Sequence, residues 1–321
     1  MPTTLNITAQ GIVRASKAIN PDFLNSPMLG SVHLADLRTP PMVLKDETAN
    51  AIRSFKGRGT DYYAHNLKKR NPRVVCASAG NFGQGLAVAM ARRGGRAVVF
   101  AAKNANPIKV SRMQELGAQV IMAGQDFDDA NAAAREFAEA GGLPFLEDSD
   151  NADVAIGAGT IAKEMTDGDA EFDAIYVPVG GGSLINGIGT WLAHARPGVP
   201  VIGVCATGAP SQARSWQKKA VVKTDLVDTF ADGIAIRAPV SAAVEHMWKV
   251  VSDFVLVSDK EILSAMRSIY ASTGLRLEPS GTAGVAAIAK DAHSRGVMQP
   301  ATLLCGANVT DEDAASWYAR D

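Results

Sequence analysis

The sequence predicts an α/β protein with two open lobes, each built on a parallel sheet that carries helices on both faces. Short apolar runs typical of buried strands alternate with amphipathic helical stretches, and the alternation occurs in two separate series. A chain of 321 residues, 47% of them hydrophobic, is long enough to bury a large core, as two lobes or as one large α/β domain. Together these observations indicate two parallel-sheet units.

Three strands and two helices alternate in the first series. The helical stretch over residues 82–93 ends at Gly94 and Gly95, which readily adopt the left-handed conformation of a helix cap. Asn106 and Pro107 mark the start of the second helix, as an N-cap and a first-turn proline. The predicted strands cover residues 74–77, 97–101 and 119–122, and the predicted helices cover 82–93 and 108–116.

The second series surrounds a run of glycines. An apolar strand over residues 174–179 leads through this run into a helix over 184–195, and a strand over 201–204 follows. No long linker separates the two series, so the boundaries of the lobes are approximate. The predicted domains are a small one over residues 61–157, inserted into a large one formed by 1–60 and 158–321.

The charge balance excludes two classes of partner. Lysine and arginine (32) nearly equal aspartate and glutamate (33), so we expect no basic face for nucleic acid or for an anionic membrane. No apolar run approaches the ~20 residues of a membrane span, and the first residues lack the pattern of a signal peptide. We therefore expect a soluble, cytoplasmic protein whose partner is a small molecule.

Cysteine and histidine show neither disulfide nor metal-ligand spacing. The three cysteines are far apart and odd in number, which is typical of reduced thiols in a cytosolic protein. The five histidines are scattered, and no His-x-x-x-His or Cys-x-x-Cys pattern occurs. The sequence therefore predicts no metal ligands among these side chains.

A lysine at position 56 lies between an aromatic residue and a glycine-flanked turn, in the run Ser54-Phe55-Lys56-Gly57-Arg58-Gly59. Desolvation in such a bend shifts a lysine toward the neutral, nucleophilic amine that Schiff-base chemistry requires. A surface lysine at a helix start is an equally good interpretation of this hexapeptide taken alone.

A glycine-rich loop joins a predicted strand to a predicted helix. Backbone without side chains can approach a phosphate closely there, while amide hydrogens and the helix N-terminus point toward it. A tight strand-to-helix turn is the structural alternative, but three consecutive glycines favour phosphate binding. The absence of Gly-Lys-Ser/Thr argues against a nucleoside triphosphate and favours a phosphomonoester. The loop reads Gly180-Gly181-Gly182-Ser183-Leu184.

Two further segments end predicted strands. The loop Ser78-Ala79-Gly80-Asn81 offers backbone amides for a carboxylate, and Asn81 can donate to an oxygen, although such a loop taken alone is an ordinary helix N-cap. Near the end of the chain, Cys305 follows an apolar strand and is by default a small core residue.

Five segments in this order resemble the fold-type II pyridoxal-phosphate enzymes, the tryptophan synthase β-like class, and among these most of all the serine/threonine dehydratases. The resemblance spans about residues 44 to 309, and five ordered motifs are far more specific than any one of them. The segments are Ser54-Phe55-Lys56-x-Arg58-Gly59, Ser78-Ala79-Gly80-Asn81, Gly180 to Leu184, Glu278-Pro279-Ser280-Gly281 and Cys305-Gly306-x-Asn308.

The resemblance implies pyridoxal 5'-phosphate as cofactor and a role for each segment. Lys56 would carry the cofactor and then act as the base that removes the substrate's α-proton. The substrate carboxylate would be held by the amides of the segment Ser78, Ala79, Gly80, Asn81 and Phe82. The cofactor would be held by Phe55 behind the ring, Asn81 at the phenolic oxygen, Glu278 near the ring, Cys305 at the pyridine nitrogen, and Gly180, Gly181, Gly182, Ser183 and Leu184 at the phosphate.

Departures from the family pattern narrow the expected reaction. A thiol at Cys305 leaves the ring nitrogen nearly neutral, which favours elimination of a β-substituent over racemisation. Related racemases have a serine where this chain has Ala79, so a lyase is expected. Threonine dehydratases commonly have histidine at the position of Phe82, which here predicts a more apolar pocket wall.

The expected cation chemistry also differs from that of many relatives. They read Gly-Val-Glu-Pro where this chain reads 203–206 as Gly-Val-Cys-Ala, so a divalent metal site is in doubt. A monovalent ion, K⁺ or Na⁺, could still be held by main-chain carbonyls near Gly182, Ala209 and Asp232. Because the chain ends soon after Asn308, we expect no isoleucine-binding regulatory domain.

The predicted function is dehydration of a β-hydroxy-α-amino acid to a 2-oxo acid and ammonia, by α-proton abstraction and β-elimination. Serine and threonine are the default substrates, while Phe82 and residues 209–212 leave room for a 3-aryl-serine. A 3-hydroxyaspartate dehydratase would need a cationic partner that the sequence does not locate. The alternatives are a β-replacement enzyme like the cysteine synthases, an amino-acid racemase, or a cofactor-binding relative without catalysis. Relatives suggest a homodimer.

Overall fold

A computed structural model describes residues 4–69 and 71–318 of the chain. In this part of the chain, nine strands form one sheet of six and one of three, with α-helices packed around both. The strands are β1 (Met28–Val32), β2 (Met42–Asp46), β3 (Arg73–Ala77), β4 (Arg96–Ala101), β5 (Gln119–Met122), β6 (Ala174–Pro178), β7 (Val201–Ala206), β8 (Asp253–Val257) and β9 (Pro300–Leu304).

The helices cover the faces of the two sheets and connect their strands. They are α1 (Ala9–Ala18), α2 (Lys56–Asn66), α3 (Asn81–Ala91), α4 (Pro107–Glu115), α5 (Phe127–Ala140), α6 (Ala152–Asp167), α7 (Ser183–Ala195), α8 (Ser211–Lys218), α9 (Ser241–Val250), α10 (Asp259–Thr273), α11 (Pro279–Asp291) and α12 (Asp311–Tyr318).

The larger sheet has the strand order β1-β2-β9-β6-β7-β8, and its pairs are parallel except for β1 with β2. Every residue of β2, β6, β7 and β9 is buried, as expected for parallel strands covered on both faces. Along β6, Ile175 and Val177 belong to one apolar core and Tyr176 to the other. The sheet therefore has a core on each side, and the predicted fold class is confirmed.

The smaller sheet has the order β3-β4-β5 with parallel pairs. The strand predicted over 119–122 coincides with β5, whereas α3 ends two residues before the predicted limit at 93. Gly94 adopts the left-handed conformation expected of it, with φ of 67°. The Asn106 side chain accepts a hydrogen bond from the Ile108 amide at 2.9 Å, as an N-cap should.

Two helices connect the sheets. Helices α2 and α6 pack against each other, and α2 also packs against α3 of the smaller sheet. The predicted domain limits at 60 and 158 fall inside α2 and α6. The division into 61–157 and the rest of the chain therefore stays a prediction.

A buried ionic network fixes the first turns of α2. Arg58 is fully buried and donates to both oxygens of Glu47, at 2.7 and 2.8 Å, and to both oxygens of Glu164, at 2.6 and 2.9 Å. Lys45, on β2, lies 2.8 Å from the same Glu164. Since Arg58 is two residues beyond Lys56, this network fixes the position of the backbone that carries the lysine.

None of the helices within residues 4–69 and 71–318 is long and apolar enough to cross a membrane.

Candidate active site

A cleft opens where the start of α2, the loop before α7 and the segment after β9 meet. The carboxyl ends of the parallel strands β6 and β9 lead into it, which is where open α/β sheets usually bind ligands. Most of the predicted cofactor residues line this cleft together. Its lining is Phe55, Lys56, Asn81, Pro178, Gly180, Gly181, Gly182, Ser183, Leu184, Gly233, Ile234, Ser280, Cys305 and Gly306.

Lys56 is the first residue of α2 and is held by the segment that follows β9. The Phe55 amide donates to the Cys305 carbonyl at 3.2 Å, and the Ser54 hydroxyl donates to the same oxygen at 3.2 Å. The Lys56 ζ-nitrogen lies 4.6 Å from the centre of the Phe55 ring and 5.8 Å from that of Phe82. Two motifs far apart in the chain therefore position one amine inside an aromatic-walled cleft.

An aspartate that the sequence analysis missed is the ionic partner of this amine. The Lys56 ζ-nitrogen donates to Oδ2 of Asp148, and the side chains are 18% and 21% exposed. The Ser183 hydroxyl donates to Oδ1 of the same carboxylate at 2.9 Å. In the sequence Asp148 belongs to an acidic loop before α6. No local pattern distinguishes it from the aspartates of a solvated surface loop.

The three loop glycines each have a steric reason in the fold. A Cβ on Gly180 would lie 2.3 Å from the Gly233 carbonyl oxygen, and one on Gly181 would lie 2.5 Å from the Ser149 Oγ. Gly182 has φ of 103°, in the left-handed region that favours glycine. The glycine run is thus explained by the fold alone, and its length does not by itself indicate a phosphate.

The backbone amides of this loop are the groups that favour a bound anion. Within the described residues, no backbone hydrogen bond is donated by the amides of Gly180, Gly181, Gly182 or Ser183. These groups lie at the N-terminus of α7, where unsatisfied N–H groups and the helix dipole favour negative charge. The buried Gln212 holds the loop from behind, its Nε2 donating to the Gly180 carbonyl at 2.8 Å.

Asn81 and Glu278 form one buried polar network with Asn308. The Asn81 Nδ2 donates to both Glu278 oxygens, at 3.0 and 3.1 Å, and its Oδ1 accepts from the Asn308 Nδ2 at 2.7 Å. Burial raises the pKa of Glu278, as does the charge of Asp232, while the bonds from Asn81 and Asn308 and the charge of Lys109 oppose the shift. A proton is thus held more readily at Glu278 than at an ordinary glutamate.

The loop before α3 engages two of the amides that were expected to hold a carboxylate. The Ser78 amide donates to the Phe100 carbonyl at 2.9 Å, and the Gly80 amide donates to the Ser78 hydroxyl at 3.2 Å. The carboxylate role of the segment stays a prediction, and the amides of Ala79, Asn81 and Phe82 donate no hydrogen bond among the described contacts. The side chain of Phe82 is buried beside the amine of Lys56.

Cys305 is buried at the end of β9, with its Sγ 3.6 Å from the Leu303 carbonyl. Burial raises the pKa of the Cys305 thiol, and the nearby charge of Glu47 raises it further. The side chain is thus a neutral thiol at neutral pH, as its predicted place beside a ring nitrogen requires.

A charged pair lies next to a residue that lines the cleft. Lys109 of α4 lies 3.0 Å from Asp232, a residue next to the cleft-lining Gly233. Burial opposes a charge on Lys109, but the charges of Asp232 and Glu278 raise its pKa. No group of three or more His, Cys, Asp or Glu able to hold a metal occurs in the described part of the chain.

The residues present fit a phosphorylated aldehyde. An amine projects into the cleft, a cradle of unpaired amides for an anion lies beside it, and a neutral thiol and a buried amide–carboxyl network complete the lining. The fold and the site together define a pyridoxal-phosphate-dependent enzyme of fold type II.

Comparison with known families gives the same answer. The family model described as pyridoxal-phosphate dependent enzyme matches residues 19–306. The chain belongs to this family, and the predictions of family, fold type and cofactor are confirmed.

Curated relatives place the chain near the threonine dehydratases. It is 32% identical to the L-threonine ammonia-lyase of Thermotoga maritima over 305 residues, 94% of this chain and 76% of that protein. It is 31% identical over 288 residues to the L-threonine dehydratase biosynthetic IlvA of Pasteurella multocida, 88% of this chain. The match spans only 56% of the Pasteurella protein.

Solved structures share the fold over nearly the whole chain. The processed form of threonine deaminase isoform 2 from Solanum lycopersicum superposes with a TM-score of 0.89 at 29% identity, covering 98% of this chain and 89% of that one. A pyridoxal 5'-phosphate-dependent aspartate racemase superposes with the same TM-score at 26% identity, covering 97% and 98%. The fold therefore accommodates both lyases and racemases, and the site must decide between them.

Proposed function

We propose that the chain is an ammonia-lyase that dehydrates a β-hydroxy-α-amino acid to a 2-oxo acid and ammonia. The observation that carries this function is the convergence of the Lys56 amine, the unpaired amides of the loop 180–183 and the neutral Cys305 thiol on one cleft. The threonine dehydratases and ammonia-lyases among its relatives support the same reaction class.

Residues from three parts of the cleft would hold the cofactor. Lys56 would hold its aldehyde, Phe55 would lie behind its ring, and Asn81 would donate to its phenolic oxygen. The loop from Gly180 to Leu184 would hold the phosphate through backbone amides and the Ser183 hydroxyl. When bound, pyridoxal phosphate supplies an electron-withdrawing ring that acidifies the α-carbon of an attached amino acid.

The proton chemistry belongs to residues of the chain. The ζ-nitrogen of Lys56 is the base that takes the substrate's α-proton, since it projects from a fixed helix start into the cleft. The amides of Ala79, Asn81 and Phe82 are the proposed ligands of the substrate carboxylate. Glu278 orients Asn81 through their paired hydrogen bonds and so positions the cofactor indirectly.

Racemisation is the alternative supported by a solved structure of the same fold. A racemase needs a second acid–base group on the opposite face of the substrate, and the proposed position for it is occupied here by Ala79, which carries no proton. A carboxylate at the position of Cys305 would keep the ring nitrogen protonated and so strengthen the ring as an electron sink, whereas the buried neutral thiol does not. Elimination is therefore the favoured outcome.

Lys56 is tested with the variants Lys56→Ala and, as a control on an exposed lysine of α10, Lys260→Ala. Keto acid and ammonia are measured with L-serine, L-threonine, L-threo-phenylserine and threo-3-hydroxyaspartate. We expect the wild type and the control to be active and the Lys56 variant to lose at least about 100-fold in kcat, the usual contribution of a general base. Equal keto-acid production by the Lys56 variant would rule out this base.

The covalent site is tested separately by borohydride reduction and peptide mapping, which should place the cofactor on Lys56. A β-replacement enzyme would instead consume an O-acylated serine faster with a thiol present and form no net keto acid. A cofactor-binding protein without catalysis would show visible absorbance and no turnover.

We further propose a cytoplasmic homodimer. All three cysteines are buried and unpaired, which supports a reducing compartment. Sedimentation analysis of the holoenzyme tests the dimer. A monovalent cation near Gly182, Ala209 and Asp232 stays a prediction, which the activity in K⁺, Na⁺ and tetramethylammonium buffers tests.

A further inference from the structure

Asp148 contacts both the proposed base, Lys56, and the proposed phosphate-binding loop, at Ser183. None of the roles assigned above includes Asp148. Its Oδ2 accepts from the ζ-nitrogen of Lys56, and its Oδ1 accepts from the Ser183 hydroxyl at 2.9 Å. Its side chain is 21% exposed, so the two donors do not shield the carboxylate completely, and both donors belong to residues that line the cleft. A charge at this place must influence whatever the cleft binds.

The loop that carries Asp148 is fixed at both ends. Before it, the Leu146 amide donates to the Val75 carbonyl at 2.8 Å, which attaches the chain to the smaller sheet. After it, Asn151 caps α6 by accepting from the Asp153 and Val154 amides at 2.9 and 3.2 Å. The carboxylate is therefore presented by a held segment rather than by a free surface loop.

The geometry relates Asp148 to the β-substituent of a substrate. The base nitrogen that reaches the α-proton is the nitrogen that Asp148 contacts. In an α-amino acid the β-substituent is only two bonds from the α-carbon. A substrate that presents its α-proton to Lys56 and turns its β-carbon toward Asp148 brings its β-substituent beside the carboxylate.

We propose that Asp148 selects the β-substituent by charge and hydrogen bonding, an inference that rests on the proposed function. An ionised carboxylate only accepts hydrogen bonds, so it favours a β-hydroxyl or a β-ammonium group. It repels a β-carboxylate, which 3-hydroxyaspartate carries on the same carbon as its hydroxyl. The cleft therefore takes amino acids with a neutral or cationic donor at the β-position and disfavours 3-hydroxyaspartate.

The test compares three amino acids of similar size with the holoenzyme. L-Serine has a neutral β-substituent, L-2,3-diaminopropionate a cationic one and threo-3-hydroxyaspartate an anionic one. Apparent dissociation constants are taken from stopped-flow visible spectra of the cofactor, and turnover of the two hydroxy amino acids from keto acid. The variants are Asp148→Asn and, as a matched control, Asp150→Asn on an exposed residue of the same loop.

The wild type is expected to bind the diaminopropionate at least about tenfold more tightly than the hydroxyaspartate, the usual scale of a hydrogen bond to a charged group. In Asp148→Asn this ratio, and the preference in kcat/KM for serine over hydroxyaspartate, should fall about tenfold. Asp150→Asn should keep both. Unchanged ratios in Asp148→Asn would show that the aspartate merely pairs with Lys56 and would overturn the inference.

The ratio of the two dissociation constants in the wild type still tests the inference if Asp148→Asn does not fold. Tighter binding of the hydroxyaspartate than of the diaminopropionate would contradict it directly. The proposed function fails in a different way. If no hydroxy amino acid yields keto acid with the wild type, the dehydratase is wrong, while the spectral ratio still tests Asp148 independently.

Discussion

Replacing Arg58 tests the buried ionic network that fixes the first turns of α2, where Lys56 lies. Arg58→Met keeps an unbranched, flexible side chain that can stay buried, and it removes the charge. Glu47, which is fully buried, then loses both guanidinium hydrogen bonds and keeps the Ser26 hydroxyl at 2.5 Å as its hydrogen-bond donor among the described contacts. Glu164 is less affected, since Lys45 lies 2.8 Å from it.

Breaking one partner of a buried ion pair costs about 3–5 kcal/mol, because an uncompensated charge stays inside the protein. We expect Arg58→Met to lower the free energy of unfolding by that amount, measured by urea denaturation of the holoenzyme at a fixed cofactor concentration. The double variant Glu47→Gln, Arg58→Met removes both charges and should recover at least ~1–2 kcal/mol of the loss.

The control is Arg112→Met, which removes the exposed pair of Arg112 with Glu115 at 3.2 Å, where the side chains are 47% and 59% exposed. Water screens this pair, so its loss should change the free energy of unfolding by less than ~0.5 kcal/mol. If Arg58→Met stayed within ~1 kcal/mol of the wild type, or if the double variant were no more stable than the single one, the reasoning from an uncompensated Glu47 would be refuted.

Two further predictions concern pH and the glycine loop. Burial alone would raise the pKa of Glu164, but Arg58 and Lys45 outweigh burial and hold this pKa below 4.5. On acidification the unfolded chain therefore takes up a proton before the folded protein does. The free energy of unfolding should fall as the pH drops below about 5 toward the pKa of Glu164 in the folded protein. Glu164→Gln should flatten this slope in urea midpoints, and an unchanged slope would contradict the assignment. Gly180→Ala meets a backbone carbonyl at 2.3 Å, whereas Gly181→Ala meets the Ser149 hydroxyl at 2.5 Å, which can rotate away. Cofactor affinity, titrated by absorbance, should therefore fall more in Gly180→Ala, and the reverse order would contradict the packing argument.

The strands of the two predicted series and the order of the motifs were predictable from local patterns, whereas β1, β2 and β8 were not predicted. Parallel strands buried on both faces read as apolar runs, so β5 was predicted with its observed limits and β6 within one residue. Lys56 was singled out because it lies between an aromatic residue and a glycine-flanked turn, and the loop that begins at Gly180 because it joins a predicted strand to a predicted helix.

The partners of these motifs were not predictable. Asn81 bonds to Glu278, 197 residues away, and to Asn308, 227 residues away. Asp148 is 92 residues from the lysine it contacts. No periodicity in a sequence encodes such pairs, because the backbone path between them decides the distance.

The sequence by itself determined the class of the fold and the cofactor, and it predicts Lys56 as the residue that carries this cofactor, since apolar periodicity and ordered motifs are local properties of the chain. Only the tertiary structure decided which amides remain unpaired, why each loop glycine is required, and that Asp148 lies beside Lys56. These three features depend on contacts between segments that are distant in the chain. Charges and hydrogen bonds act over short distances in space, and separation along the chain does not give those distances.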